Sequence, residues 1–151
     1  MSDLQALPAD YHQRILENTT DAIIFSDRDG TIRLWNDGAV RVFGFSREEA
    51  VGANLDLIIP ERFRAPHWKS FEAAMAAGKP RHGAEVRLTR GLHKEGEARK
   101  LYVEMSFGVV VDADGKAIGS VAMARDVTEK QAAERALKER LAALEGKSAS
   151  Y

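Results

Sequence analysis

Two strand–turn–strand segments bracket a helical middle, and that arrangement restricts the fold of this chain more than any other feature of its sequence. Ala22-Ile23-Ile24-Phe25-Ser26-Asp27 is a short buried-strand run. It passes through the turn Asp27-Arg28-Asp29-Gly30 into Thr31-Ile32-Arg33-Leu34-Trp35-Asn36, where apolar and polar residues alternate. Period-two runs on either side of a glycine-containing turn predict a β-hairpin. Residues 100–111 and 117–126 repeat the pattern around Asp112-Ala113-Asp114-Gly115, whose Asp-Gly pair is a strong hairpin signal. A further strand-like run, 84–89, precedes them, and a charged excursion over 91–99 lies between.

The segment between the hairpins has helical spacing. Ala39, Val40 and Phe43 share a face that Gly44 ends, and Asn36 stands at the entry as an N-cap. Ser46-Arg47-Glu48-Glu49 is a capping box, because the serine hydroxyl and the glutamate carboxylate satisfy each other's free amides. The longest helix is predicted from about residue 62 to Gly78, where Gly78-Lys79-Pro80 breaks it. Five strands with helices between the second and third, and hairpins joining the sheet edges, predict an α+β fold.

Within the long helix, steps of four from Phe63 give His67, Phe71 and Met75 on one face. A single imidazole therefore sits in an apolar stripe. There it is either a hydrogen-bonded core residue or a ligand for something held inside the domain. Its chemistry allows both readings, since a neutral ring nitrogen accepts a hydrogen bond or coordinates iron. His12 and His93 are expected at the surface, the latter in the mixed charges of 91–99.

Composition removes several function classes. The 22 Lys and Arg nearly balance the 23 Asp and Glu, so no overall field recruits nucleic acid or an anionic membrane. The chain has no cysteine, which excludes disulfides, thiolate metal sites and a flavin–cysteine adduct in this domain and fits a reducing cytoplasm. No apolar run is long enough to span a bilayer. No Gly-Lys-Ser/Thr phosphate loop, Gly-x-Ser-x-Gly elbow or His-Glu-x-x-His pair appears, so a non-catalytic role is expected.

The ends of the chain look helical. Pro8-Ala9-Asp10 opens a short helix in which Tyr11, Ile15 and Leu16 share a face. After Asp126, Ala133, Leu137, Leu141 and Leu144 form a narrow stripe suited to a coiled-coil seam. A stripe this short needs a partner, either a second copy or the domain's own sheet. The expected organisation is a helical cap (1–17), a core domain (18–129), an amphipathic signalling or dimerisation helix (130–146) and a disordered tail (147–151).

From Asn18 to about Glu129 the chain resembles a PAS domain. The residues that carry the resemblance are Asp21-Ala22-Ile23, Asp29-Gly30-Thr31-Ile32, Trp35-Asn36, Phe43-Gly44-Phe45-Ser46-Arg47-Glu48-Glu49, Gly52, Ile58-Ile59-Pro60, Asp114-Gly115 and Arg125-Asp126-Val127-Thr128-Glu129. The resemblance implies a five-stranded antiparallel sheet with helices over one face and an internal pocket. Such modules sense a cofactor or small molecule, or dimerise, and signal through their terminal helices to a kinase, cyclase or other transducer.

A narrower resemblance concerns Pro60-Glu61, Ala65-Pro66-His67, which is similar to the long helix of haem-binding PAS domains in oxygen-sensing kinases and phosphodiesterases. It implies b-type haem with His67 as proximal iron ligand and oxygen or another diatomic gas as the input. Arg87, twenty residues on, matches the arginine that steadies bound oxygen in that subfamily. The methionine that is the sixth ligand in the phosphodiesterases would fall near Glu85, so Met105 is the nearest alternative, with Phe107 beside it on the distal strands. Phe71 belongs to the proximal face, and Arg81 and His82 can meet the propionates through charge-assisted bonds. Two alternatives stay open: a cofactor-free dimerisation or docking module, and a pocket for a flavin or metabolite.

Overall fold

The computed structural model describes residues 5–80 and 85–148. In chain order the elements are α1 (Tyr11–Glu17), β1 (Ala22–Asp27), β2 (Ile32–Trp35), α2 (Asp37–Phe43) and α3 (Arg47–Ala50). A 3₁₀ turn (Leu55–Ile58) and α4 (Glu61–Ala77) follow, then β3 (Arg87–Gly91), β4 (Leu101–Val111), β5 (Ala117–Asp126) and α5 (Thr128–Ser148). The five strands form one antiparallel sheet in the order β2-β1-β5-β4-β3. The last strand is therefore central, beside the first, which closes the chain on itself and carries α5 away from the middle of the sheet.

The two Asp-x-Asp-Gly turns are built alike. In the first, the Asp27 carboxylate accepts from Asp29 N (3.0 Å) and Thr31 N (3.1 Å). In the second, Asp112 accepts from Asp114 N (2.9 Å) and Lys116 N (3.0 Å). In each, the glycine amide donates back to the aspartate carbonyl. An aspartate side chain that bonds its own backbone two residues on is what makes such sequences turn locally.

Helices α2, α3 and α4 cover one face of the sheet. Val42 and Phe43 of α2, Ala50 of α3, and Phe71 and Met75 of α4 join Ala22, Ile24, Leu101, Val103 and Ala124 of the strands in a single buried cluster. Ser26 and Ser120, paired across β1 and β5, satisfy each other at 2.8 Å within it. Asn36 does more than cap. Its Oδ1 accepts from Ala39 N and Ile23 N, both at 2.9 Å. Its Nδ2 donates to Leu16 O, Thr19 Oγ1 and Asp21 O within 3.0 Å. One buried amide thus ties α2 to β1 and to the end of α1.

Three expectations need correction. His93 is buried at 6% exposure, not on the surface. Its segment folds back, with Leu92 N donating to Ile58 O and Lys94 N to Phe43 O, and the ring lies against Gly44. Gly44 has φ of 83°, and a Cβ there would stand 2.5 Å from the ring, so glycine serves both the turn and the contact. The third strand runs over Arg87–Gly91 where 84–89 was expected, because its register is set by pairing with β4. The exit helix begins at Thr128 and continues to Ser148, so Lys147 and Ser148 are helical where a disordered tail was expected. Ahead of Pro60, the 3₁₀ turn Leu55–Ile58 is capped by the Asn54 side chain, which accepts from Asp56 N.

Candidate functional site

Helix α4 brings the stripe inward progressively. Phe63 near its start is exposed, His67 is half-buried, and Phe71, Ala74 and Met75 are buried. The His67 ring meets Trp68 edge-on with centroids 4.9 Å apart, and Phe71 at 5.9 Å. Trp68 and Phe71 also meet edge-on at 5.2 Å. Among the described residues, the Nδ1 of His67 is buried with no hydrogen-bond partner. Burial pushes the imidazole below its ordinary range, with the Asp56 carboxylate pulling the other way. Burial thus favours the neutral ring, which carries a lone pair on one of its two nitrogens.

Asp56 and Trp68 form a support that nothing local in the sequence announces. The Trp68 Nε1 donates to Asp56 Oδ1 at 2.8 Å, linking α4 to the 3₁₀ turn. Arg64 strengthens the same link by donating to Ile59 O (3.0 Å) and Asp56 O (3.2 Å). The indole rests on Gly30, whose φ is 80° and where a Cβ would come within 2.2 Å of the ring. Twelve residues separate Asp56 from Trp68, so only the folded chain reveals the pair.

Opposite α4, sheet register sets the remaining residues. Arg87, Met105, Ala124 and Ala22 occupy one row across β3, β4, β5 and β1, and Phe107, Ala122 and Ile24 the next row on the same face. Met105 and Phe107 pack, partly buried, against the core cluster that holds Phe71. Arg87 shares the row of Met105, but its side chain is 59% exposed and reaches Glu85 at 3.5 Å. Arg81 and His82 lie outside the described residues. The fold thus places Phe71, Met105 and Phe107 in one packed interior, with His67 at its edge, and turns Arg87 outward.

The residues present fit a haem group in two respects. The buried Nδ1 has no partner, and the ring packs against Phe71, which belongs to the core against which Met105 and Phe107 also pack. Among the described residues no three His, Asp or Glu side chains gather around a point that could hold a bare metal ion.

The exit helix is anchored at its start. Val127 is buried and donates from its amide to Tyr102 O at 2.9 Å. The Thr128 hydroxyl accepts from Tyr102 N at 3.0 Å. Arg125 at the end of β5 holds Asp21 with two bonds of 3.1 and 2.9 Å. Beyond that, Leu137, Leu141 and Leu144 remain 60%, 51% and 58% exposed. No helix among the described residues is long and apolar enough to cross a membrane.

Comparison with known proteins agrees with this geometry. The family model described as "PAS fold" matches residues 11–127. The sensor protein FixL of Bradyrhizobium diazoefficiens is 29% identical over 125 residues, covering 83% of this chain and 24% of that protein. The oxygen sensor protein DosP of Escherichia coli is 27% identical over 116 residues, 77% of this chain and 14% of its own length. The sensor protein kinase WalK of Staphylococcus aureus is 27% identical over 125 residues, 83% and 18%. The chain thus spans a quarter or less of these relatives. Among solved structures, a PAS domain from Colwellia psychrerythraea superposes with a TM-score of 0.69 at 22% identity, covering 80% of this chain and 97% of that one. An RNA-binding light-oxygen-voltage receptor superposes at 0.70 with 19% identity, covering 94% and 41%.

Proposed function

Since the chain belongs to the PAS-fold family, we propose that it is a non-catalytic sensory module that holds b-type haem through His67 and takes oxygen or another diatomic gas as its input. The observation that carries the reading is the buried, unpartnered Nδ1 of His67. Leaving a buried polar atom unbonded costs about 1–3 kcal/mol, so a fold that keeps one invites an explanation by ligation. Two of the sensor relatives, FixL and DosP, match over more than three quarters of this chain, and DosP is named as an oxygen sensor.

In this reading His67 supplies the proximal nitrogen, and Phe71 keeps that side dry. Met105 and Phe107 form the distal wall, with Met105 as candidate sixth ligand. Arg87 would have to leave Glu85 and turn inward along its row to donate to a bound gas. Arg81 and His82 are the candidates for meeting the propionates. When bound, the haem iron supplies the position at which a diatomic gas is held. Because Phe71, Met105 and Phe107 belong to one packed cluster, accommodating the macrocycle requires them to part.

Met105 pairs with Ala124, two residues before Asp126, and α5 starts at Thr128. A shift of the distal strands therefore reaches α5 through the backbone. The exposed leucines of α5 then pair with a second copy, and the dimer passes the change to a downstream kinase, cyclase or other transducer. A cytoplasmic location goes with this role.

The test is a visible absorption spectrum of the purified chain after haem reconstitution, with and without dithionite. A Soret band that shifts on reduction and is lost in His67→Ala is the expected result. A colourless wild type defeats the haem reading and leaves the PAS assignment standing. In that case the exposed α5 stripe favours a cofactor-free dimerisation module.

A further inference from the structure

The loop between β3 and β4 folds back onto the helical layer, and its backbone fastens it there. Leu92 N donates to Ile58 O and Lys94 N to Phe43 O, both at 2.9 Å. The first bond holds the 3₁₀ turn that leads into α4, and the second holds the last residue of α2. Two ion pairs also cross from the loop to the helices, Lys94 to Glu49 of α3 and Glu97 to Arg62 of α4, each at 2.8 Å. These four side chains are 41% to 55% exposed, so water and salt screen the pairs and they hold little. The fastening rests on the two backbone bonds and on what is buried between them.

That buried group is His93, whose ring lies against Gly44 at the end of α2. Its Nδ1 accepts from Glu95 N at 3.1 Å. A neutral imidazole has one accepting and one donating nitrogen, so this bond keeps the ring proton on Nε2. Protonating Nδ1 would set two N–H groups against each other and break the bond to Glu95. It would also leave a cation in a buried site, which is costly without a partner.

The surrounding charges are already engaged. A Glu95 carboxylate oxygen lies 3.7 Å from Nδ1, but Arg99 holds that same oxygen at 2.5 Å. Asp126, at the end of β5, accepts from the Thr128 hydroxyl at 2.6 Å and from Thr128 N at 3.0 Å. Asp56 of the 3₁₀ turn is bound by Trp68, and Glu49 of α3 by Lys94. On the α2 side the ring meets the uncharged Gly44. Burial and the Arg99 charge hold the imidazole below its ordinary range, with Glu95 and Asp126 pulling the other way.

We infer that the β3–β4 loop is a proton-released strap with His93 as its pin: the neutral ring keeps the loop on α2 and the 3₁₀ turn, and protonation lets it lift. Lifting frees the 3₁₀ turn and the first turn of α4 from the loop, so proton concentration acts on the approach to the helix that carries His67. The strap works with or without haem. A lifted loop exposes the ring and restores its ordinary value of 6.5, so the lifted form takes up a proton that the fastened form refuses. The fastened form is complete above 6.5 and loses ground as pH falls below it.

The experiment is amide hydrogen exchange of the full chain, read by ¹H–¹⁵N NMR at about pH 7.5 and 5.5 and corrected for the intrinsic pH dependence of exchange. Protection at Leu92 and Lys94 should fall by about tenfold between the two, the limit for one proton taken up only by the lifted loop. The amides of the central strands β1 and β5 should keep theirs. His93→Gln should remove the difference between the two pH values. Arg99→Gln, at an exposed position, should shrink it, because Glu95 is then free to meet the imidazolium. A wild-type fall of less than about twofold overturns the proposal. So does a loss shared equally by β1 and β5, which is global unfolding, or a fall that persists in a folded His93→Gln. Should that variant fail to fold, Arg99→Gln decides, and a fall as large as that of the wild type overturns the proposal.

Discussion

Replacing His67 by leucine should stabilise the haem-free protein while abolishing haem binding, and the size of the gain follows from the geometry around the ring. The buried Nδ1 without a partner costs about 1–3 kcal/mol, which leucine removes. Leucine also has the better helix propensity by a few tenths of a kcal/mol. Against this stand the ring contacts to Trp68 and Phe71, worth roughly 0.5–1.5 kcal/mol each and toward the lower end for a half-buried ring. The two side chains are similar in volume, so overpacking adds little. The balance is a gain of about 1 kcal/mol, or a rise in Tm of roughly 2–4 °C for a chain of this length. Thermal and urea unfolding followed by circular dichroism would read it, with His67→Gln as a control that keeps a buried polar atom and so should show no gain. If leucine instead lowers Tm by several degrees, the imidazole is holding the core together and the ligation argument loses its basis.

Other consequences can be measured alongside. Asn36→Ala strips five hydrogen bonds from a buried position; combining a lost N-cap with stranded buried groups predicts a loss of about 3–5 kcal/mol in urea unfolding. A loss below about 1 kcal/mol would show that water replaces those bonds. Gly30→Ala forces a left-handed alanine against the Trp68 indole, so stability should fall by at least about 1–2 kcal/mol with a change in tryptophan fluorescence. Unchanged emission would mean the indole does not sit there. Burial lowers both His67 and His93 below 6.5. The unfolded rings therefore take up protons that the folded rings refuse, and stability is complete above 6.5 and declines as pH falls toward the folded values. A urea midpoint that stays flat from about pH 7.5 to 5.5 contradicts this sign. Finally, Leu141→Glu should reduce the mass measured by light scattering if α5 pairs two copies, and an unaltered mass removes α5 from the interface.

Much of the fold was legible because its signals are local. The Asp-x-Asp-Gly turns, the Ser46–Glu49 capping box and the stop at Gly78 each depend on residues within four positions of one another. The strand boundaries 101–111 and 117–126 came within one residue for the same reason. Part of the site was legible too, since helical spacing alone puts His67, Phe71 and Met75 on one face. Asn36 was readable as a cap, while its bonds to Ile23, Leu16 and Asp21 were not.

The amino-acid sequence by itself determined periodicity, turns and caps, because these are contests between neighbouring backbone and side-chain groups. Tertiary structure decided what those elements meet. It set β5 between β1 and β4, joined Asp56 to Trp68, buried His93 against Gly44 and brought Arg90 over the ring and Arg135 to the hydroxyl of the Tyr102 phenol. It also turned Arg87 toward Glu85, although its spacing and register aim it at the interior. Such contacts join residues as far as 104 positions apart, as Asp21 and Arg125 are. They form only when apolar burial closes the sheet, so no local pattern encodes them.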